Sequence, residues 1–424
     1  MEDNAIDLSI VIPVLNEERN IGPLIEALWE VVRGLEIPAE IVVVDGGSKD
    51  RTWAAAERAG ARCLLQQRAG YAGALQDGLN AARGRYVATL DGDLSHPAAL
   101  LAEMWKLRHR ADIVVASRFV AGGSSRAPVT RHVLSRVLNG VFSWTLSLPV
   151  RDLSSGYRLY RRCVLARDAY RSWNFSILQE ILVVAYCDGY SIHEVPLEYR
   201  ERASGTSHVS VVRFAASYLP TLYRLWKLRN LTRTADCEYR AYSSRHLLQR
   251  YWIRKRLSLI ARFVDGGQSV LDVGSGSNYL AATRREFVSV EPEPAKVRFL
   301  SRRGAKVVEG SAEALPFPDG SFDRVILSHV LPCVEHPTGI LQEVHRILEN
   351  GGRAVVCVPD ANRFAWRMVR VFYDRLPNVR ASGVRPHRRF SRAEVVDLLE
   401  SHGFRERECR YVCGAEAVVL LEKT

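Results

Sequence analysis

The sequence predicts an α/β protein of two domains, and three observations carry that prediction. At 424 residues the chain exceeds what one hydrophobic core ordinarily serves. Its first half alternates short apolar runs with helical patterns, and Asp45, Asp91 and Asp93 stand where such runs end. Its second half opens with another apolar run, Ser269–Val273, followed at once by Gly274-Ser275-Gly276, the turn that begins a nucleotide-type βαβ unit.

Leu8–Val14 (LSIVIPV) is a continuous apolar run, as expected of a parallel strand buried on both faces, and Asn16, Glu17 and Glu18 follow it into a helix from about Asn20 to Arg33. A second strand, Glu40–Val44, ends in Asp45-Gly46-Gly47-Ser48-Lys49-Asp50, and the next helix carries Ala54–Ala59. A short strand at Arg62–Gln66, a Gly-rich turn at Gly70–Gly73 and a helix to Ala82 come next. The strand Tyr86–Leu90 then delivers Asp91 and Asp93 with Gly92 between them, and Ile113–Ala116 is one more strand. Two carboxylates this close at a strand end can approach one hard divalent cation, Mg²⁺ or Mn²⁺, whose shell waters and phosphates complete. A capped turn is the bland alternative, since Asp, Gly, Ser and Pro all favour turns.

Composition narrows the class. Hydrophobic content of 47% with 25% charged residues is that of a soluble globular protein. The net charge of +12 implies an anionic partner: nucleic acid, membrane phospholipid or a phosphorylated small molecule. The N-terminus passes from acidic residues straight into a strand, unlike a signal peptide. No apolar run approaches the roughly 18 residues of a spanning helix. The eight cysteines are scattered and form no CxxC, which argues against zinc and fits a reducing cytoplasm.

The segments IPVLNEERNI, VVVDGGSKDRT, TLDGDLSHP, ASRFVAGGS, DLSSGYRLYRR and HEVPLEYRERASGTSH occur in an order that resembles family 2 glycosyltransferases. The resemblance is closest to the dolichyl- or polyprenyl-phosphate mannosyltransferase branch and covers about residues 7–230. It implies a GT-A-like fold in which Pro13, Asn16 and Glu17 line the nucleotide site and Asp45 takes base or ribose, with Ser48, Asp50 and Gly70 also binding substrate. Asp91 and Asp93 would bind the metal and diphosphate; Arg118, Arg131 with Ser135, and Arg202 would hold phosphate. Glu180 falls where the family has an acidic residue in the acceptor cleft, and by its residues alone it is equally a helix-surface carboxylate. The chain departs from the family pattern at Gly46, Ser95 and His208, which leaves sugar and base open.

Val137–Val150 is apolar but too short to span. Val211–Leu231 places apolar residues near helical spacing among Arg213, Arg224, Lys227 and Arg229, with no acid from Ala203 to Ala235. That is the composition of an amphipathic helix resting on anionic lipid, or of a helix packed on its own domain with a solvated basic face. Pro220 argues against one straight helix. The expectation is a cytoplasmic protein held peripherally on the inner face of the membrane.

The polar stretch Asn230–Tyr242 reads as a linker, dividing a first domain at 1–235 from a second at 236–424, and Ser244–Val264 reads as a basic helix. Tyr279 stands where a dinucleotide fingerprint needs its third glycine, which disfavours NAD. VLDVGSGS, FVSVEPEP, SAEALPFPDGSFDRVILSHVL and EVHRILENGGRAVVCVPD instead resemble class I S-adenosylmethionine methyltransferases of type 11. That resemblance implies a Rossmann-like fold and S-adenosyl-L-methionine as cofactor, with Asp272, Gly274 and Gly276 in the first motif, Glu291 at the ribose, and Ala312 and Glu313 beside the adenine. Asn278, Ser311 and Asn350 depart from it. His329, His336 and His387 read as structural, because methyl transfer from a sulfonium runs largely on proximity.

The expectation is therefore a bifunctional enzyme. Its first domain moves a hexose, mannose from GDP-mannose in the leading reading and otherwise from a UDP-sugar, onto a polyprenyl or dolichyl phosphate; its second methylates a small-molecule, glycan or lipid-linked acceptor. The alternative is a glycosyltransferase with a non-lipid acceptor. Nucleic acid is not an expected partner, for no RNA- or DNA-binding motif is present.

Overall fold

A computed structural model describes residues 6–126, 128–165, 170–200, 211–284, 286–373 and 388–424, without the side chains of 131, 211–217, 372 and 373. Arg202, His208, His387 and the side chain of Arg131 thus lie outside the described residues. The chain divides into two compact units, residues 1–186 with 190–226, and residues 187–189 with 227–424.

The first unit runs β1 (Leu8–Val14), α1 (Ile21–Leu35), β2 (Ala39–Asp45), α2 (Thr52–Arg58), β3 (Arg62–Leu65), α3 (Gly70–Ala81), β4 (Tyr86–Thr89), α4 (Leu100–Lys106) and β5 (Ile113–Ser117). There follow β6 (Ser124–Ser125), α5 (Val129–Leu146), β7 (Arg158–Arg161), α6 (Ile177–Cys187), β8 (Ile192–Pro196), β9 (Glu198–Tyr199) and α7 (Val211–Arg229). Seven strands form one sheet in the order β3-β2-β1-β4-β7-β5-β8. β1 pairs in parallel with both β2 and β4, so the chain winds outward in opposite directions from the β1/β4 boundary. A crevice opens at the carboxyl ends of strands at such a switch point, and Asn16, Asp45, Asp91 and Asp93 stand there. β7 inserts antiparallel between β4 and β5. The continuous apolar runs are the strands buried on both faces: Ile10, Ile12, Val43, Ala88 and Val114 join Leu24 and Leu28 of α1 in one core.

The second unit contains α8 (Cys237–Tyr242), α9 (Leu247–Phe263), β10 (Val270–Val273), α10 (Tyr279–Thr283), β11 (Val288–Glu291), α11 (Pro294–Arg302), β12 (Lys306–Glu309) and β13 (Phe322–Ser328). α12 (Pro337–Ile347), β14 (Leu348–Pro359), α13 (Phe364–Tyr373), a helix over Arg392–Glu400, β15 (Phe404–Val412) and β16 (Glu416–Lys423) complete it. The sheet order is β12-β11-β10-β13-β14-β16-β15, parallel from β12 to β14, with β16 antiparallel to β14 and β15. Its switch point is the β10/β13 boundary.

Two expectations change. The stretch expected to be a linker holds the α8 helix, whose Tyr239 and Tyr242 rings stack on Tyr279 at 5.8 and 3.8 Å. Helix α7 continues through Pro220 rather than breaking there. Pro220 is exposed, and a proline costs a helix one hydrogen bond and local strain, a cost that packing of the other face can offset. That face buries Tyr218 and Leu225.

Candidate functional site

At the switch point of the first unit, the loops after β1 and β2 are laced by hydrogen bonds. The Asn16 amide donates to Ser48 Oγ (2.9 Å), and the Lys49 amide to Asn16 Oδ1 (2.8 Å). The Glu17 amide donates to Thr52 Oγ1 (2.7 Å), and that of Glu18 to Asp50 Oδ2 (3.2 Å). Asn16 adopts a φ of +58°, a left-handed conformation that asparagine tolerates better than most residues. Asp45 is buried, and its Oδ1 accepts from the Gly47 and Ser48 amides (3.0 and 2.7 Å). The structure thus brings Pro13, Asn16, Glu17, Asp45, Ser48 and Asp50 into one loop cluster, in which Ser48 and Asp50 are spent holding the two loops together.

Hydroxyl donors orient the paired carboxylates. Tyr71, carried in by the first turn of α3 after Gly70 (φ +78°), donates its hydroxyl to Asp91 Oδ1 at 3.2 Å and stacks on Phe175 at 4.2 Å. Asp93 is buried, and its Oδ1 accepts from the Ser95 amide and hydroxyl (3.1 and 2.5 Å). The turn reading of the motif is therefore also correct: Asp93 caps a turn while Asp91 faces the crevice half-exposed. The Asp91 amide donates to Nδ1 of buried His96 (3.3 Å), whose pKa burial lowers despite the two nearby aspartates. Gly92 is required by packing, since a Cβ there would lie 2.7 Å from Val14 Cγ1. Among the described residues no group of three His, Cys, Asp or Glu could hold a metal by itself. A pair of carboxylates on one rigid turn is nonetheless a donor set that suits a hard ion shared with substrate phosphates.

Sequence reading missed the other wall of the crevice. Arg118, expected to hold phosphate, grips Asp152 with Nε and Nη2 (2.8 and 2.9 Å) and also donates to Ser154 Oγ (2.7 Å) and, at 3.5 Å, to Ser135 Oγ. Asn139 donates to Ser154 Oγ (2.9 Å) and accepts from the Leu153 amide (2.7 Å), so α5 fixes the same loop. Burial would raise the Asp152 pKa, but the charge of the Arg118 guanidinium and the hydrogen bonds from Arg118 and Ser154 outweigh it and hold the carboxyl below its usual range. Wholly buried Arg158 clamps the Leu153 and Leu178 carbonyls (2.7 and 2.6 Å), and Thr89 Oγ1 donates to the Gly156 carbonyl (2.7 Å). The loop thus brings Gly156 against the metal-binding candidate. A Cβ at 156 would stand 3.2 Å from both Asp91 Oδ1 and the Tyr71 hydroxyl. We expect Gly156→Ala to displace the Asp91 carboxylate and weaken half-saturation by Mn²⁺ about 10-fold, with thermal stability little changed, because shifting a group that orients a ligand costs on this order. A titration of activity against Mn²⁺ checks it.

Glu180, expected in the acceptor cleft, is engaged by its own neighbours. It is buried, accepts from the Arg171 and Ser172 amides (3.2 and 2.7 Å) and pairs with Arg224 of α7, which hold its pKa down against burial. Its carboxylate ties α6 to α7.

In the second unit, Gly274 and Gly276 take φ of +61° and +60° beneath the β10 end. Asp272 is 1% exposed; Oδ2 accepts from Asn278 Nδ2 (2.8 Å), whereas Oδ1 is buried without a hydrogen-bond partner among the described residues. Burial raises its pKa to about 7. Glu291, buried at the end of β11, accepts from the Gly276 amide (2.7 Å). An orphaned buried carboxylate oxygen beside a glycine loop fits a cationic ligand group, such as the ammonium of an amino acid. Ala312 packs partly buried on the core while Glu313 is exposed in the turn after β12. Glu238 of α8, unmarked in the sequence, closes one side of the loop: it accepts from the Ser277 amide and hydroxyl (3.1 and 2.7 Å) and pairs with Lys296 (2.6 Å).

A family model described as Glycosyl transferase family 2 matches residues 9–167, and one described as a methyltransferase domain matches residues 271–356. The chain is 32% identical to a dolichyl-phosphate hexose transferase of Haloferax volcanii over 200 residues, 47% of this chain and 86% of that protein. It is 30% identical to a dolichol-phosphate mannosyltransferase of Pyrococcus furiosus over 232 residues, 52% of this chain and 64% of that protein, and so spans less than two thirds of its length. It is 32% identical to a polyprenol monophosphomannose synthase of Mycolicibacterium smegmatis, over 47% of this chain and 80% of that protein.

Proposed function

We propose that this chain, which belongs to glycosyl transferase family 2 and carries a methyltransferase domain in its second half, transfers a hexose from a nucleotide sugar to a polyprenyl or dolichyl phosphate and methylates a second acceptor. The observation that carries the first activity is the Asp91-Gly92-Asp93 turn at the β1/β4 switch point, its carboxylates oriented by Tyr71 and Ser95. Asp91 and Asp93 would hold Mg²⁺ or Mn²⁺, which supplies Lewis-acid stabilisation of the departing diphosphate when bound. The loops bearing Asn16 and Asp45 receive the nucleoside, and Arg118 on Asp152 presents a fixed positive edge to phosphate. A lipid monophosphate already carries about −1.5 to −2 charges near pH 7, so its oxygen attacks without a base and the protein supplies alignment. GDP-mannose is the donor we favour, because two of the relatives are named for mannose.

The test incubates the protein with radiolabelled nucleotide sugars, Mg²⁺ or Mn²⁺ and a short polyprenyl phosphate, beside an Asp91→Asn control. Organic-extractable label that disappears in the variant names the donor and supports lipid-phosphate transfer. Label that stays in the aqueous phase moves the acceptor to soluble compounds.

Two exposed helix faces support a membrane-surface setting for that acceptor. α5 exposes Val129, Val133, Val137, Val141 and Trp144, and α7 exposes Leu219 and Tyr223. The helices meet where the Phe142 and Tyr218 rings touch at 5.6 Å. Neither α5 nor residues 203–235 contain an acid, and no described helix is long and apolar enough to cross a membrane. Apolar faces with basic surroundings bind anionic interfaces. Because α7 is packed through Tyr218 and Arg224, point changes rather than its deletion probe this. We expect Trp144→Glu with Tyr223→Glu to reduce co-flotation with anionic phospholipid vesicles about 10-fold, the cost of losing two interfacial aromatics and adding two repelled charges.

For the second unit we propose S-adenosyl-L-methionine as cofactor, a sulfonium methyl donor when bound, held by Asp272, Gly274, Gly276 and Glu291 with Ala312 and Glu313 beside its base. A ligand ammonium at Asp272 requires the carboxylate form. With the Asp272 pKa near 7, affinity is present above that pH and is lost as pH falls through it, about 10-fold per unit. Calorimetry with S-adenosylhomocysteine should therefore show about 10-fold weaker binding at pH 6 than at pH 8; a flat profile would remove Asp272 from the ammonium site.

A further inference from the structure

His329 follows β13 directly, at the carboxyl edge of the β10/β13 boundary, and holds a φ of +63°. A left-handed histidine is uncommon, and such strain persists only where surrounding structure enforces it. Its amide donates to the Cys357 carbonyl of β14 (3.0 Å). The next residue, Val330, packs so closely on the glycine loop that a Cβ on Gly274 would meet its Cγ2 at 2.8 Å. His329 thus stands at the mouth of the cleft proposed for the cofactor, with a third of its side chain exposed.

Behind the ring lies Glu416, 1% exposed at the start of β16. Its Oε2 accepts from Trp252 Nε1 (2.6 Å), and its Oε1 lies 2.6 Å from His329 Nε2 and 3.2 Å from Arg256 Nη1. Arg256 Nη1 also lies 2.6 Å from His329 Nε2. Neither form of the ring nitrogen satisfies both neighbours as placed: bare, its lone pair faces the anionic oxygen at contact distance, and protonated, it offers Arg256 no acceptor. A proton on Nε2, donated to Glu416, removes that repulsion and leaves Arg256 to donate to the same carboxylate. Burial would raise the Glu416 pKa, yet Arg256, His329 and Trp252 hold it at about 2, so the carboxylate is ionised. The ring is therefore oriented through Nε2, while Nδ1 has no hydrogen-bond partner among the described residues.

We infer that His329 is the general base for the methyl acceptor, its Nδ1 presented by the buried Glu416, and that the acceptor is a hydroxyl or amine with a proton to lose. This rests on the methyltransferase reading of the second unit. In the step, the acceptor oxygen or nitrogen forms a bond to the methyl carbon as the carbon–sulfur bond of the sulfonium donor breaks. The bonding pair stays on sulfur as a neutral thioether. The acceptor proton passes to Nδ1, and Glu416 balances the imidazolium that results. A carboxylate that fixes tautomer and orientation of a histidine base is a recurrent arrangement.

Histidine-ring NMR on the full-length ¹⁵N,¹³C-histidine-labelled protein tests this without an identified acceptor. The His329 signals are assigned by their loss in His329→Asn, which a φ of +63° accommodates, and independently by their displacement in Glu416→Gln. The expected result is the Nε2–H tautomer, and a His329 ring signal that moves by more than its linewidth on adding S-adenosylhomocysteine. His345, whose carbonyl takes Lys423 at the opposite end of β14, should stay fixed. If S-adenosylhomocysteine binds but His329 does not sense it, or if the proton is on Nδ1, the base assignment is overturned alone. If S-adenosylhomocysteine does not bind at all, the methyltransferase reading fails and takes the assignment with it.

Discussion

Asp91→Asn is expected to reduce metal-dependent sugar transfer at least about 100-fold, or roughly 3 kcal/mol of transition-state stabilisation, with little change in stability. The asymmetry follows from how the two aspartates are spent. Asp93 is buried and caps the turn through Ser95, so removing it disturbs the backbone as well as the ion site. Asp91 is half-exposed, and its neighbour Tyr71 donates to an oxygen that asparagine retains. What asparagine lacks is the charge that neutralises a divalent cation. Measured with saturating Mn²⁺, Asp91→Asn should show a lowered kcat that excess metal does not restore. Asp93→Asn should show that loss together with a lower thermal midpoint. Equal stability losses in both variants would mean that the turn, and not the ion, explains the pair of carboxylates.

The part of this site that was legible in the sequence is the part made of contiguous residues. Buried parallel strands read as apolar runs because both faces are covered, so β1, β2 and β4 and the polar residues at their ends could be placed from pattern alone. Partnerships across the fold could not. Asp152 stands 34 residues from Arg118 and reaches it only because β7 inserts between β4 and β5, an exchange of order that leaves no periodic trace. Glu180 carries the same lesson. Its chain position suits an acceptor cleft, but Arg224, 44 residues on, takes its charge. The α8 segment reads as a linker in the sequence because it has almost no apolar periodicity. It is held instead by ring stacking on Tyr279 and by Glu238 on Ser277, neither of which a hydrophobic pattern records.

Asp152→Asn should destabilise the first unit by about 3 kcal/mol, since removing one partner of a buried ion pair leaves the other charge uncompensated. The side chain of Asp152 is wholly buried and that of Arg118 is 16% exposed, so water can relieve little of the cost. For a unit of this size the expected fall in thermal midpoint is about 10 °C. The pH dependence separates an electrostatic loss from a packing loss. The folded Asp152 pKa lies below its unfolded value, which is about 3.9. Its contribution is therefore fully present above that pH and is lost as pH falls through the folded value. Wild type and variant should differ most at neutral pH and converge in acid; a constant gap down to pH 3 would assign the loss to geometry. The same substitution frees Arg118 from the carboxylate that aims it. Transfer should then fall even at temperatures where the variant is fully folded, because the positive edge facing the crevice is no longer preorganised. A variant that loses stability but keeps its transfer rate would make Arg118 a structural cation, and the phosphate-binding role would pass to other arginines of the first unit.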